Sequence, residues 1–223
     1  MSDYKALDRV LEARFSCRGY MAERVDRKIV SQIVETAQKV PSWCNSQPWH
    51  LTICEGETRD ALETALAASV AAGHFKPDIE FPERYQGVYK ERRSVCGWQL
   101  YDAVGVQKGD REGSAAQMRR NFAFFGAPQV AIVTTPAELG AYGVLDCGAF
   151  VTGFCLVAQS LGVATIPQAA IAGHAEVVRE VLGLPEDRHV LCAISFGYAD
   201  PDHPANGFRT GRAELHEIVD WRD

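Results

Sequence analysis

Three separate stretches of this chain carry residue types that bind polar ligands, and their spacing says what kind. Arg14, Ser16 and Arg18 alternate along Arg14-Phe15-Ser16-Cys17-Arg18. On an extended segment alternate side chains share one side, so all three would face one ligand. An arginine fork meets phosphate oxygens two at a time, which makes anion binding the chemistry suggested. Arg209 and Arg212, in Arg209-Thr210-Gly211-Arg212, supply a second basic pair from the far end of the chain. Between the two lies Pro41-Ser42-Trp43-Cys44-Asn45-Ser46-Gln47-Pro48-Trp49, richer in amides, hydroxyls and indoles than a turn requires. Amides such as Asn45 and Gln47 both donate and accept hydrogen bonds, which suits a polar heterocycle.

Each stretch also has a plain structural reading. Most arginines are solvated surface residues. The proline-rich loop is also a way to pack Trp43 and Trp49 into a core, and Pro167-Gln168-Ala169 reads as a turn after a strand. Taken singly, the arginine clusters favour the surface reading. Taken together with the loop, they favour a site.

Arg-x-Ser-x-Arg followed by Pro-Ser-x-x-Asn-x-Gln-Pro-Trp resembles the opening of the nitroreductase family of flavin enzymes, and the likeness continues to the C-terminus. The resemblance implies an α+β fold with a mixed, mainly antiparallel sheet flanked by helices in three layers. It also implies a homodimer with two FMN at its interface. On that basis Arg14, Ser16 and either Arg209 or Arg212 hold the phosphate, with Phe15 in the same cluster. Arg18 reaches the ribityl chain or the N1–O2 edge of the ring. Pro41, Ser42, Trp43, Asn45 and Gln47 contact the partner subunit's flavin, with Ser42, Trp43 and Asn45 nearest.

Pro167, Gln168 and Ala169 fall where the family places residues under the isoalloxazine ring, with a backbone N–H donating to flavin N5. Many relatives carry an acidic residue and glycine there, so side-chain contacts through Gln168 do not transfer directly. A change at Gln168 is nonetheless expected to alter nicotinamide or acceptor kinetics. The implied activity is hydride transfer from NAD(P)H through flavin N5 to an electron-poor acceptor, a nitroaromatic first of all, in ping-pong fashion. Flavin N5 carries the chemistry and no catalytic side chain is required. The same scaffold also serves reductive dehalogenation, flavin fragmentation and enone or quinone reduction. A flavin-binding protein without catalysis is the alternative from another class.

Composition bounds the rest. A chain of 223 residues is most economically one domain, 1–223. A net charge of −6 argues against nucleic-acid or anionic-membrane surfaces. The N-terminus lacks a basic region followed by an apolar one, so no signal peptide is expected. The stretch 141–162 is interrupted by Asp146, Gln159 and glycines, so no membrane span is expected either. Seven cysteines without C-x-x-C suit reduced, mostly buried thiols in the cytoplasm, with Cys44 a packed residue rather than a nucleophile. The histidines show no metal-ligand spacing, and neither G-x-S-x-G nor a strand-to-helix G-x-G-x-x-G occurs.

Positioning these stretches requires the following elements. Leu7, Val10 and Leu11 mark a first helix, and Asp26 caps a second that Pro41 stops. Trp49, Leu51 and Ile53 alternate as the inward side of a half-buried strand. Leu62, Ala65, Leu66, Ser69 and Val70 form a helical stripe ended by Gly73. The segment 74–117 is aromatic and charged, a helical excursion over the body that offers Tyr85, Tyr89 and Trp98, with Phe124 beyond, as a substrate wall. Asn121 to Phe125 reads as helix-end packing. Strands follow at 129–134, 163–166 and 190–198, with a last short one near Ile218-Val219. Asp146 to Leu161 is apolar nearly all round and reads as a central buried helix. Val177 to Leu182, capped by Gly183, is the last helix.

Overall fold

In the computed structural model, which describes residues 2–222, one sheet is built from β1 (His50–Glu55), β2 (Gln129–Pro136), β3 (Ala164–Gln168) and β4 (Arg188–Gly197). The strands lie in the order β1-β2-β4-β3, with antiparallel ladders throughout. A lone parallel bridge from Ser16 to Thr165 adds the N-terminal arm beside β3 and makes the sheet mixed.

Among the described residues seven helices surround it: α1 (Asp3–Ala13), α2 (Arg27–Ala37), α3 (Gly56–Ala71), α4 (Gly87–Ala103), α5 (Arg111–Arg119), α6 (Gly140–Ser160) and α7 (Ala175–Leu182). β2 and β4 are apolar on both faces because helices cover both. On one face Val130, Ile132 and Ala193 pack with Leu62 and Leu66 of α3 and Val178 of α7. On the other, Ala131, Val133, Ile194 and Phe196 pack with Ile33 of α2 and Phe150 and Phe154 of α6. The result is the three-layer α+β arrangement that the sequence implied.

Local signals set the helix ends. The Asp26 side chain accepts from Lys28 N–H at 2.7 Å and starts α2. Gly183, at φ 61°, closes α7 in the left-handed region that a Cβ would disfavour.

Five expectations are corrected. Trp49 does stack on Phe150, ring centroids 5.1 Å apart, but further along β1 it is Cys54 that is buried and Ile53 that is exposed. The reason is α3, which covers the second face of the strand. α6 starts six residues before Asp146 and is not central on all sides. Cys147, Phe150, Phe154, Cys155 and Ala158 are buried, while Tyr142 and Leu145 lie open. The stretch Ala137–Ser160 is even long and apolar enough to cross a membrane, with an 18-residue window of mean hydropathy 1.6. An all-round apolar pattern does not distinguish a core helix from one with an interface on its outer side. β3 runs through Pro167 and Gln168, which pair with Ile194 and Ala193, so these residues are strand rather than turn. Proline is tolerated there because β3 is an edge strand. Finally, the expected strand at Ile218-Val219 is replaced by a 3-10 turn, Leu215–Glu217, closed by reciprocal bonds between Glu214 and Glu217. Cys44 is also exposed, not packed.

Candidate active site

The two basic clusters meet. A cavity of ≈ 480 Å³ is lined by Arg14, Phe15, Ser16 and Arg18 from the N-terminal arm and by Arg209, Thr210 and Arg212 from the C-terminal segment. The arm is extended because α1 ends at Arg14 (φ −67°, ψ 131°) and the chain then runs beside β3, where Cys17 N–H donates to Thr165 O at 3.1 Å. Arg14, Ser16 and Arg18 all line the cavity, and so does Phe15 between them.

Asn206 joins the two ends of the chain. Its Oδ1 accepts from Arg18 N–H at 2.8 Å, and its Nδ2 donates to Gly19 O and Asp200 O, both at 2.9 Å. A few residues on, the Arg209 guanidinium lies 4.1 Å from the Phe15 ring centroid and donates to Asn206 O. Gly19 is required by contact: a Cβ there would fall 2.1 Å from His203 Cγ. Arg18 donates to Ser16 O at 3.2 Å and sits 5.7 Å from the Phe125 ring centroid. Burial pulls the Arg18 pKa below its ordinary value. An anionic ligand beside it would offset that desolvation.

The Pro41–Trp49 loop holds an unusual backbone. Cys44, Asn45 and Gln47 have φ of 53°, 55° and 47°, left-handed values that cost a non-glycine residue roughly 1–2 kcal/mol each. Buried Asp146 of α6 accepts from Trp43 N–H through both oxygens, at 3.1 and 3.2 Å, and from the Ser46 hydroxyl at 3.3 Å. Ser42 Oγ accepts from Gln47 N–H at 3.0 Å, and Gln47 Nε2 donates to Asn45 O. Trp43 is 58% exposed and meets Tyr142 edge-on, centroids 4.2 Å apart. Pro41, Ser42 and Trp43 line a second cavity, ≈ 520 Å³, against Leu145, Gly148 and Thr152. The two cavities share no lining residue. Within one chain, the loop and the arginines therefore do not enclose one ligand.

At the end of β3, Pro167 and Ala169 are exposed but Gln168 is buried. Its side-chain oxygen accepts from the Ser195 hydroxyl, and its Nε2 donates to Asn121 O at 2.8 Å. Both ends of the amide are committed inside the protein. Gln168 ties β3 to the 121–127 turn, where Phe124 and Phe125 have φ of 53° and 54°. Phe124 is corrected. It is fully buried, with Arg59 5.5 Å from its ring centroid, and offers no face to a substrate. Tyr85, Tyr89 and Trp98 are exposed around α4, Tyr85 beneath Arg93 and Trp98 against Tyr101. None of them lines the arginine cavity; from α4 that role falls to Cys96.

Sequence reading missed Asp146, Asn206 and Cys96. Only Asp146 left a trace, as a lone acid in an apolar helix.

Comparison with known proteins follows the same line. A family model described as "Nitroreductase family" matches residues 11–198. Nitroreductase NfnB of Mycolicibacterium smegmatis is 34% identical over 96% of this chain and 92% of its own length. The 4-nitrobenzoate reductase of Pseudomonas putida is 32% identical, covering 92% of this chain and 90% of that protein. Among solved structures, the FMN-dependent nitroreductase NfnB from Mycobacterium smegmatis in complex with NADPH superposes with a TM-score of 0.95 at 32% identity, covering 100% of both chains.

Proposed function

The chain belongs to the nitroreductase family, and we propose that it is an FMN-dependent, NAD(P)H-using oxidoreductase that reduces nitroaromatic compounds as a homodimer. The observation that carries this reading is the meeting of four arginines from opposite ends of the chain around one cavity. Their forks, with the Ser16 and Thr210 hydroxyls, fit a terminal phosphate. Bound FMN would supply the electron carrier, taking hydride from reduced nicotinamide and passing electrons to the nitro group.

The chain's part is to bind, orient and shield. Arg14, Ser16 and Arg209 or Arg212 hold the phosphate, and Arg18, with its charge partly desolvated, stands by the ribityl chain or the N1–O2 edge. Pro167 has no N–H, so the backbone donor to the ring falls to Gln168 or Ala169. Asn45 and Gln47 serve the ring of the partner's flavin, and Ser42 and Trp43 wall it. Tyr85, Tyr89 and Trp98 border the acceptor from the 74–117 excursion of what is a single domain.

Two observations support the dimer. The outer side of α6 is apolar and open at Tyr142 and Leu145, and Leu215, Ile218 and Trp221 expose a further apolar run. The loop and arginine cavities are complementary halves of one site only if two copies meet. Seven free cysteines suit a reducing compartment, the cytoplasm. A nitroaromatic acceptor is favoured over halogenated or enone acceptors by the relatives, which include a nitrobenzene nitroreductase.

The test is an anaerobic titration of the purified protein. Chromatography of the heat-released chromophore should give FMN, NADPH or NADH should bleach the flavin, and 4-nitrobenzoate or nitrobenzene should restore its colour. Release of FAD, or bleaching that no nitroarene reverses while a quinone does, contradicts the reading.

A further inference from the structure

We propose that Asp146 is a positioning residue of the flavin site: its carboxyl group holds the 42–47 loop in its left-handed form and thereby sets the surface that loop presents to the ring. This rests on the FMN reading, and on four features of the chain.

The first is cost. Asp146 is 8% exposed and is the one charged residue of its helix, and among the described residues no salt bridge reaches it. A buried carboxyl group without a cation is expensive unless hydrogen bonds satisfy it. The second is where those bonds go. Both oxygens accept from Trp43 N–H, and one also accepts from the Ser46 hydroxyl, so every recorded bond runs to the one loop.

The third is the missing local cap. Trp43 opens a short 3-10 turn, and Ser42 at its N-cap makes no capping bond to it. The Ser42 hydroxyl is engaged by Gln47 N–H instead. Asp146 does the capping from another element, across a sequence separation of 103 residues. The fourth is strain. Two left-handed residues, Cys44 and Asn45, lie within the span that Asp146 clamps and a third, Gln47, follows directly, and such conformations persist only where the surroundings over-determine them. On the FMN reading the loop serves the ring, and its cavity shares no lining residue with the arginine cavity, so Asp146 would bear on the ring side of the site rather than the phosphate side.

Two substitutions separate these roles. Asp146→Leu removes every acceptor while suiting the apolar helix, and Asp146→Asn keeps one oxygen for Trp43 N–H. In apoprotein, Asp146→Leu should speed amide hydrogen exchange across 43–47 by about tenfold, the scale of one lost hydrogen bond. Visible circular dichroism of bound flavin and its midpoint potential should shift. Asp146→Asn should restore all three towards the wild type. Unchanged exchange, an unshifted flavin spectrum and potential, or an Asn variant as damaged as the Leu variant would each overturn the proposal. If the wild-type protein takes up no FMN, the FMN reading fails, while exchange in the apoprotein still decides whether Asp146 holds the loop.

Discussion

At the scale of single residues, types and local spacing were legible, and distant partnerships were not. Arg14, Ser16 and Arg18 could be read as one binding edge because their geometry is set by neighbours in sequence. Asn206 could not, since its bond to Arg18 spans 188 positions and nothing near it announces the contact. Gln168 shows the same limit in reverse. Its position marked it as a ring-side group, whereas the structure spends its amide on Ser195 and Asn121. Gln168→Ala should therefore lower stability by about 1–3 kcal/mol, the penalty for leaving buried polar groups unpaired. Chemical denaturation of the apoprotein measures it, and an unchanged midpoint would return Gln168 to the ring.

His174 is a second buried polar residue with a measurable consequence. Its Nδ1 lies 2.8 Å from Ser69 Oγ, and its ring sits edge-on to both Phe75 and Phe122. Burial, and then the neighbouring His74, lower its pKa below the usual 6.5. The unfolded chain thus takes up a proton before the folded one does. Stability should be level above pH 6.5 and fall as pH drops below that value. His203, lowered by burial and Arg120, acts in the same direction. Urea unfolding followed across this range checks the sign, and His174→Asn should flatten the slope. Stability that rises on acidification would contradict it.

At the scale of elements, periodicity and caps carried α2, α3 and α7 and the two central strands. Asp26 caps α2 as its place before the helical repeat predicts, so Asp26→Ala should cost about 1 kcal/mol in thermal or chemical unfolding. The misses have physical reasons. Pro167 looks like a strand terminator until β3 is known to be an edge strand, where a missing N–H harms no ladder. The glycines at 140 and 143 hid the first turns of α6, and Gly143 is in fact required there, since a Cβ would lie 2.8 Å from Thr135 Oγ1. The apolar composition of α6 predicts burial all round, and composition does not say which apolar side meets the sheet.

At the scale of the whole molecule, the open apolar side of α6 and the separation of loop from arginines both support the proposed second copy. Leu145, 66% exposed and on the wall of the loop cavity, is the simplest lever. Sedimentation should show a wild-type dimer, and Leu145→Asp should shift it towards monomer and release flavin with it. A flavin-loaded monomer at micromolar concentration would sink the two-copy site.

The central claim is that the N-terminal arm and the C-terminal segment build one site for the phosphate of FMN. Riboflavin has the same ring and lacks that phosphate, so the ratio of the two affinities isolates it. Titrating each into apoprotein, the wild type should prefer FMN by on the order of a hundredfold or more, as several charge-assisted hydrogen bonds imply. Arg14→Ala should lose about 1.5–3 kcal/mol of FMN affinity and leave riboflavin binding unchanged. Equal affinities for FMN and riboflavin in the wild type, or an Arg14→Ala variant that keeps the full preference, would contradict the account.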